Sequence, residues 1–138
     1  MKKILFSACI VVCAFSVKAQ VMSQKAAWVT ISVPQIKCWV CKEKLEKFLF
    51  NETSASGDPA VLQVKTNMYN ATVRIQYVPD RTNPDYLRTE IANAGFDADS
   101  IKATVDSYKQ LPLACKRKEE GGGPQKGAPC NVDPNQER

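Results

Sequence analysis

Two cysteines, Cys38 and Cys41, stand three positions apart in the segment IKCWVCKEKLEKFL, which covers residues 36–49. Sulfur at this spacing supports three kinds of chemistry: two thiolates can bind a soft metal ion, a dithiol can exchange electrons, and two cysteines can close a small disulfide. Apolar residues recur at helical spacing after Cys41, so this cysteine opens a predicted helix. The free N–H groups at a helix start carry partial positive charge, which favours thiolate over thiol.

The first nineteen residues predict an exported protein. Lys2 and Lys3 precede an uncharged apolar run that ends at residue 15, and Ala19 offers the small residue that a signal peptidase reads before Gln20. The run is too short to span a bilayer, so residues 1–19 are predicted to be a cleaved leader, and the processed chain is not expected to cross a membrane. We expect a periplasmic or secreted location.

Removal of the leader changes the charge and the cysteine content. The leader holds three of the 19 basic residues, so 16 remain against 14 acidic ones and the net charge falls from +5 to +2. This small excess gives no indication of nucleic-acid binding. An oxidising compartment also permits disulfides. The chain has no histidine, and the cysteines of the processed chain are Cys38, Cys41, Cys115 and Cys130.

The predicted elements follow the order strand, helix, strand, strand, helix, strand. Alternating apolar residues predict strands over residues 27–33, 61–68, 71–77 and 101–105. The segment after the cysteines supplies the first helix, and Asn83 with Pro84 begins a second helix that ends at Gly95. This order predicts an α+β fold, a ferredoxin-like βαββαβ sandwich in which a four-stranded antiparallel sheet carries both helices on one face.

The domain is predicted to cover residues 20–108, followed by a disordered cysteine-containing tail over residues 109–138. The tail contains EEGGGPQKGAP and few apolar residues. At about 3.3 Å per residue, the eight residues from Ser107 to Cys115 reach roughly 26 Å, which brings Cys115 just within range of the cysteine loop. Cys130 reaches it easily. Three roles therefore stay open for the tail cysteines: a mutual disulfide, idle thiols, or further metal ligands.

Residues 27–107 resemble the heavy-metal-associated domain family, which includes copper chaperones, the metal-binding modules of transport ATPases and the periplasmic mercury-binding protein. The resemblance rests on IKCWVCKEKLEKFL between the first strand and first helix, and on VPDRTNPDYLRTEIANAGFDAD at residues 78–99. It implies that Cys38 and Cys41 bind the metal and that Phe96 packs near it. Trp39 stands where small residues are frequent in the family, as a shield for the ion or a contact for a partner.

These observations together predict a soft-metal-binding protein that sequesters or transfers an ion through its Cys-x-x-Cys loop. Cu(I) is favoured because it accepts few ligands, with Hg(II) and Zn(II) as alternatives and Cys115, Phe96 and Trp39 as accessory residues. The expected partner is a metal-transporting membrane protein or another metal carrier. We expect a monomer and no enzymatic activity. Two alternatives remain: an interaction module with a degenerate metal site, and a thiol–disulfide redox protein that uses Cys38 and Cys41.

Overall fold

The computed structural model of the chain describes residues 25–54, 59–126 and 130. The predicted leader lies outside these ranges. In chain order the elements are β1 (Ala27–Ser32), α1 (Trp39–Ser54), β2 (Val61–Asn67), β3 (Thr72–Tyr77), α2 (Pro84–Asn93) and α3 (Val105–Lys109), followed by short 3₁₀ turns at Leu113–Cys115 and Lys118–Glu120. None of the helices in the described ranges has the length and apolar character that crossing a bilayer requires.

The described strands form a three-stranded antiparallel sheet in the order β1-β3-β2. β3 lies in the middle and pairs Ile31 of β1 with Val73, and both side chains are buried in the core. The opposite face carries Trp28, whose ring lies beneath the guanidinium of Arg74 at 4.6 Å and the ammonium of Lys65 at 5.5 Å. One face of the sheet is therefore apolar, as the alternation in the sequence predicts, and the other is polar.

Both predicted long helices are present, and α1 packs against β2 and α2. The predicted start of α2 is confirmed, because the Asn83 side chain accepts a hydrogen bond from the Tyr86 N–H at 2.9 Å and Pro84 occupies the first helical position. The helices contribute apolar side chains to one buried cluster with the sheet. Its largest fully buried members are Phe96, Ile31, Ile36, Leu45, Leu49, Ile75, Leu87 and Ile91.

The fourth predicted strand, at residues 101–105, does not join the described sheet. Ile101 makes only an isolated bridge to Ala98, and the chain then turns into α3. Near this end of β1, the Asp99 carboxylate accepts from the Ser32 N–H at 2.8 Å, and the Asp99 N–H donates to the Ser32 carbonyl at 2.9 Å. These two bonds use the N–H and the carbonyl of Ser32, and the Thr104 N–H donates to the Ala92 carbonyl. These backbone groups are therefore not used to pair residues 101–105 with β1.

The sequence predicts disorder from residue 109, but residues 109–126 are ordered and pack on the domain. Leu111 and Cys115 are buried in the core cluster, and the predicted boundary at residue 108 falls inside α3. Gly95 makes this packing possible, since its φ is +98° and a Cβ there would lie 2.9 Å from the Ser107 carbonyl oxygen. The segment after α3 is therefore part of the folded unit.

Candidate functional site

Cys38 and Cys41 lie at the N-terminus of α1, as the sequence predicts. The Cys38 carbonyl accepts hydrogen bonds from the N–H groups of Cys41 and Lys42, both at 3.1 Å, and so closes the first turn of the helix. Both cysteines are completely buried. The two sulfurs therefore belong to one short loop at the positive end of a 16-residue helix.

Each cysteine of this loop is joined to a cysteine of the tail. Cys38 bonds Cys130 with a Cα–Cα distance of 4.6 Å, and Cys41 bonds Cys115 with a Cα–Cα distance of 5.5 Å. The two pairs are separated by 92 and 74 residues in sequence. This arrangement differs from both disulfides considered from the sequence, one within the loop and one within the tail. It brings the sulfurs of Cys38, Cys41, Cys115 and Cys130 to the start of α1.

The accessory residues predicted from the sequence lie in or beside this region. Phe96 is completely buried and belongs to the same core cluster as the two loop cysteines and Cys115. Trp39 is half-buried, and the ammonium of Lys42 lies 4.0 Å from the centroid of its ring. The Trp39 N–H donates a hydrogen bond to the Cys130 carbonyl oxygen. Trp39 thus contacts Cys130 through its backbone and a neighbouring cation through its ring.

Asp97 holds the tail against the domain, a role that the sequence analysis did not detect. Its carboxylate accepts from the Arg117 guanidinium at 2.8 and 2.9 Å and from the Ala103 N–H at 2.9 Å. The bonds from Arg117 lower the Asp97 pKa to about 2, further than burial of the carboxylate raises it. The Asp97 backbone N–H donates to the Gln35 side chain at 2.8 Å, which connects this pair to the loop before Cys38.

Tyr108 adds a second contact between α3 and the tail. Its hydroxyl accepts from the Arg117 N–H at 2.9 Å and donates to the Glu120 carboxylate at 2.7 Å. The Arg117 guanidinium also lies 4.3 Å from the centroid of the Tyr108 ring. No sequence signal singled out Arg117, because it lies in a run of three basic residues within a polar segment and its partner lies 20 residues earlier.

Lysines flank three of the four cysteines. Lys37 precedes Cys38, Lys42 follows Cys41, and Lys116 follows Cys115. Neighbouring cations stabilise a thiolate relative to a thiol. In the described ranges, no group of three or more histidine, cysteine, aspartate or glutamate side chains is arranged to hold a metal ion, and all four sulfurs are engaged in disulfides. Any thiolate chemistry at this site therefore begins with reduction.

Solved structures similar to this chain include oxidised MerP from Ralstonia metallidurans CH34, with 20% identity, 54% of this chain and 96% of that chain covered, and a TM-score of 0.46. The copper-binding domain from the P-type ATPase HMA7 has 19% identity and a TM-score of 0.47, and the match covers 54% of this chain and 92% of that chain. The apo HMA domain of the copper chaperone for superoxide dismutase has 17% identity and a TM-score of 0.40, and the match covers 75% of this chain and 86% of that chain.

No family model and no curated protein matches the chain. Identities this low bear on the fold alone, and TM-scores below 0.5 carry no statement about what the chain binds. Its function therefore has to be argued from its own cysteines, their partners and the charges beside them.

Proposed function

We propose that the chain is an exported carrier of a soft metal ion, which Cys38 and Cys41 bind as thiolates once their disulfides are reduced. Cu(I) is the favoured ion, and Hg(II) and Zn(II) are the alternatives. The carrier either sequesters the ion or passes it to a metal-transporting membrane protein or to another carrier. It performs no reaction on the ion. In the oxidised protein the cysteines are held in disulfides, so the metal site forms only after reduction.

One observation supports this proposal most directly: the two loop cysteines are bonded to the tail and not to each other. Reduction therefore frees two thiols in the same short loop. Both lie at the positive end of α1, and Lys37 and Lys42 are their immediate neighbours in sequence. These positive groups favour the thiolate forms that a soft ion requires.

The chemistry of opening the site is a thiol–disulfide exchange. Each disulfide takes up two electrons and two protons from an external dithiol, which becomes a disulfide itself, and two protein thiols are produced. A disulfide sulfur carries no thiolate charge, so the oxidised form is expected to bind the ion poorly. Cu(I) is a soft ion for which two thiolates are suitable ligands, whereas Zn(II) usually takes four.

The proposal is tested with the processed chain, residues 20–138, in its oxidised form and after anaerobic reduction. Each form is given Cu(I) in competition with a Cu(I) chelator, and the bound ions are counted by native mass spectrometry. We expect one tightly held ion in the reduced form and none in the oxidised form. The reduced Cys38→Ser/Cys41→Ser variant should lose this ion.

Val40→Ser is the matched control, because Val40 lies between the two cysteines and is exposed. This variant changes the same loop but keeps both sulfurs, so it should retain the ion. The proposal fails if the chelator removes Cu(I) as easily from the reduced wild type as from the reduced double variant.

A protein-interaction module is the second candidate, and the burial of the sulfurs favours it. Cys38, Cys41 and Cys115 are completely buried, as expected of disulfides that only stabilise a small exported domain. A redox protein cycling a Cys38–Cys41 bond is less well supported, since the structure holds neither cysteine in that bond. A reduced chain that stays folded but binds no soft ion would favour the interaction module.

A further inference from the structure

We propose that all four cysteines of the processed chain act as ligands after reduction and form one tetrahedral four-thiolate site for a thiophilic dication such as Zn(II) or Cd(II). The inference rests on the proposed function, since it assumes that the loop thiols bind metal. It assigns to Cys115 and Cys130 the role of completing the ligand shell. In this form the tail is a metal-binding element, and Cu(I) needs only the loop pair.

Position is the first argument. The backbones of the tail cysteines lie next to those of the loop cysteines, at Cα–Cα distances of 5.5 Å for Cys115 and 4.6 Å for Cys130. Cys38 and Cys41 are already in one helical turn. The four sulfurs therefore start from one helical turn and from the two tail residues that are bonded to it.

The second argument is that contacts other than the disulfides hold the tail in place. Before Cys115 in the chain, Leu111 is buried in the core, and after it, Arg117 binds Asp97. At the far end, the Cys130 carbonyl accepts the hydrogen bond from the Trp39 N–H. Cys115 in particular lies between two anchors that reduction leaves intact. Its thiol is therefore expected to stay beside Cys41 after the disulfide opens.

Charge is the third argument. Four thiolates around a dication leave a net charge of −2 on the site, which is costly in a buried place without nearby cations. Three of the four cysteines have a lysine next to them in sequence that can supply this compensation: Lys37, Lys42 and Lys116. The N–H groups of the first turn of α1 add partial positive charge. The surroundings thus match a site that carries more negative charge than two thiolates with Cu(I).

The reaction is balanced by an external dithiol and by proton release. The two disulfides accept four electrons and four protons from two dithiol molecules, and four protein thiols result. Binding of the dication then releases these four protons to water as four metal–sulfur bonds form. A dication with four protein ligands has no open coordination position, as in structural zinc sites. Such a site suits sequestration of the dication better than rapid transfer.

Alkylation mapping tests the inference without any substitution. The processed chain is reduced, loaded with one equivalent of Cd(II) or left metal-free, and treated with iodoacetamide, and modified cysteines are identified by peptide mass spectrometry. We expect Cd(II) to slow the modification of all four cysteines at least tenfold relative to the metal-free reduced chain. Protection of Cys38 and Cys41 alone would overturn the inference and leave the proposed function standing.

Single variants give a second readout. Sulfur-to-cadmium charge-transfer absorbance depends on the number of thiolates bound, so Cys115→Ser and Cys130→Ser should each lower it by about a quarter. Leu113→Ser is the matched control, because Leu113 is exposed in the same 3₁₀ turn as Cys115 and the substitution keeps every thiol. Absorbance equal to wild type in both cysteine variants would overturn the four-thiolate site. Absence of any Cd(II) or Cu(I) binding by the reduced wild type would instead refute the proposed function itself.

Discussion

Neutralising Asp97 should loosen the tail and destabilise the oxidised protein. The change Asp97→Asn keeps the shape of the side chain and an oxygen that can accept from the Ala103 N–H, but it removes the charge that faces Arg117. The Asp97 pKa lies at about 2 instead of 3.8, chiefly because of the bonds from Arg117. At 1.36 kcal/mol per unit, this difference corresponds to about 2 kcal/mol of stability at neutral pH.

The sign of the pH dependence follows from the lowered pKa. The contribution of Asp97 is complete well above pH 3.8, where the carboxylate is charged in both the folded and the unfolded chain. It declines as the pH falls, to about half at pH 3, and disappears below pH 2. The Asn variant lacks this contribution at every pH. The difference in stability between wild type and variant should therefore shrink as the solution is acidified.

Urea unfolding of both oxidised proteins, followed by circular dichroism at several pH values from 7 to 2, measures this difference. Asp85→Asn is the matched control, since Asp85 pairs with Arg88 at 2.9 Å but its side chain is 93% exposed. Exposed pairs contribute little, so this variant should lose only a small fraction of what Asp97→Asn loses. The reasoning is refuted if the loss caused by Asp97→Asn is the same at pH 7 and at pH 2.

Two further predictions concern how the tail is attached. Gly95→Ala should lower the free energy of unfolding by about 2 kcal/mol, because the residue has a positive φ and its Cβ would press on the Ser107 carbonyl. Gly123→Ala is the control, since Gly123 also has a positive φ but open space around it, and it should lower the free energy of unfolding by about half as much. Equal losses in the two variants would contradict this account. Replacing Cys41 and Cys115 together by alanine should cost the oxidised protein about 3 kcal/mol, because the intact Cys38–Cys130 bond leaves a path of roughly 18 residues between the two positions in the unfolded chain. A loss below about 1 kcal/mol in urea unfolding would show that the bond contributes little to stability.

Local signals in the sequence were sufficient for most of the fold. The alternation that begins at Ala27, the Asn83-Pro84 helix start and the cysteine-led helix were all placed within about two residues of the observed elements. Each of these signals lies in a window of a few residues, where periodicity and capping chemistry act directly. The loop that holds Cys38 and Cys41 was located for the same reason.

The predicted fourth strand and the predicted disorder over residues 109–126 are not found in the structure, because the conformation of these segments depends on distant residues. Residues 101–105 alternate like a strand, yet the Asp99 carboxylate and backbone bind Ser32 near the end of β1. The tail has the composition of a disordered segment, but Arg117 finds Asp97 and Cys115 finds Cys41. Cysteine spacing alone leaves the pairing of four cysteines open, so the connectivity could not be derived from the sequence.

The two long-range disulfides also change what a protease can do to this molecule. Both connect the region before residue 42 to the region after residue 114, so a single cut anywhere between Cys41 and Cys115 leaves the two fragments covalently joined. Tyr69, 94% exposed in the turn between β2 and β3, offers such a cutting point. A chain cut there gains only the mass of one water molecule, and the two fragments remain attached to each other. The oxidised protein can thus tolerate one cleavage, whereas the reduced protein would fall into two pieces once it unfolds.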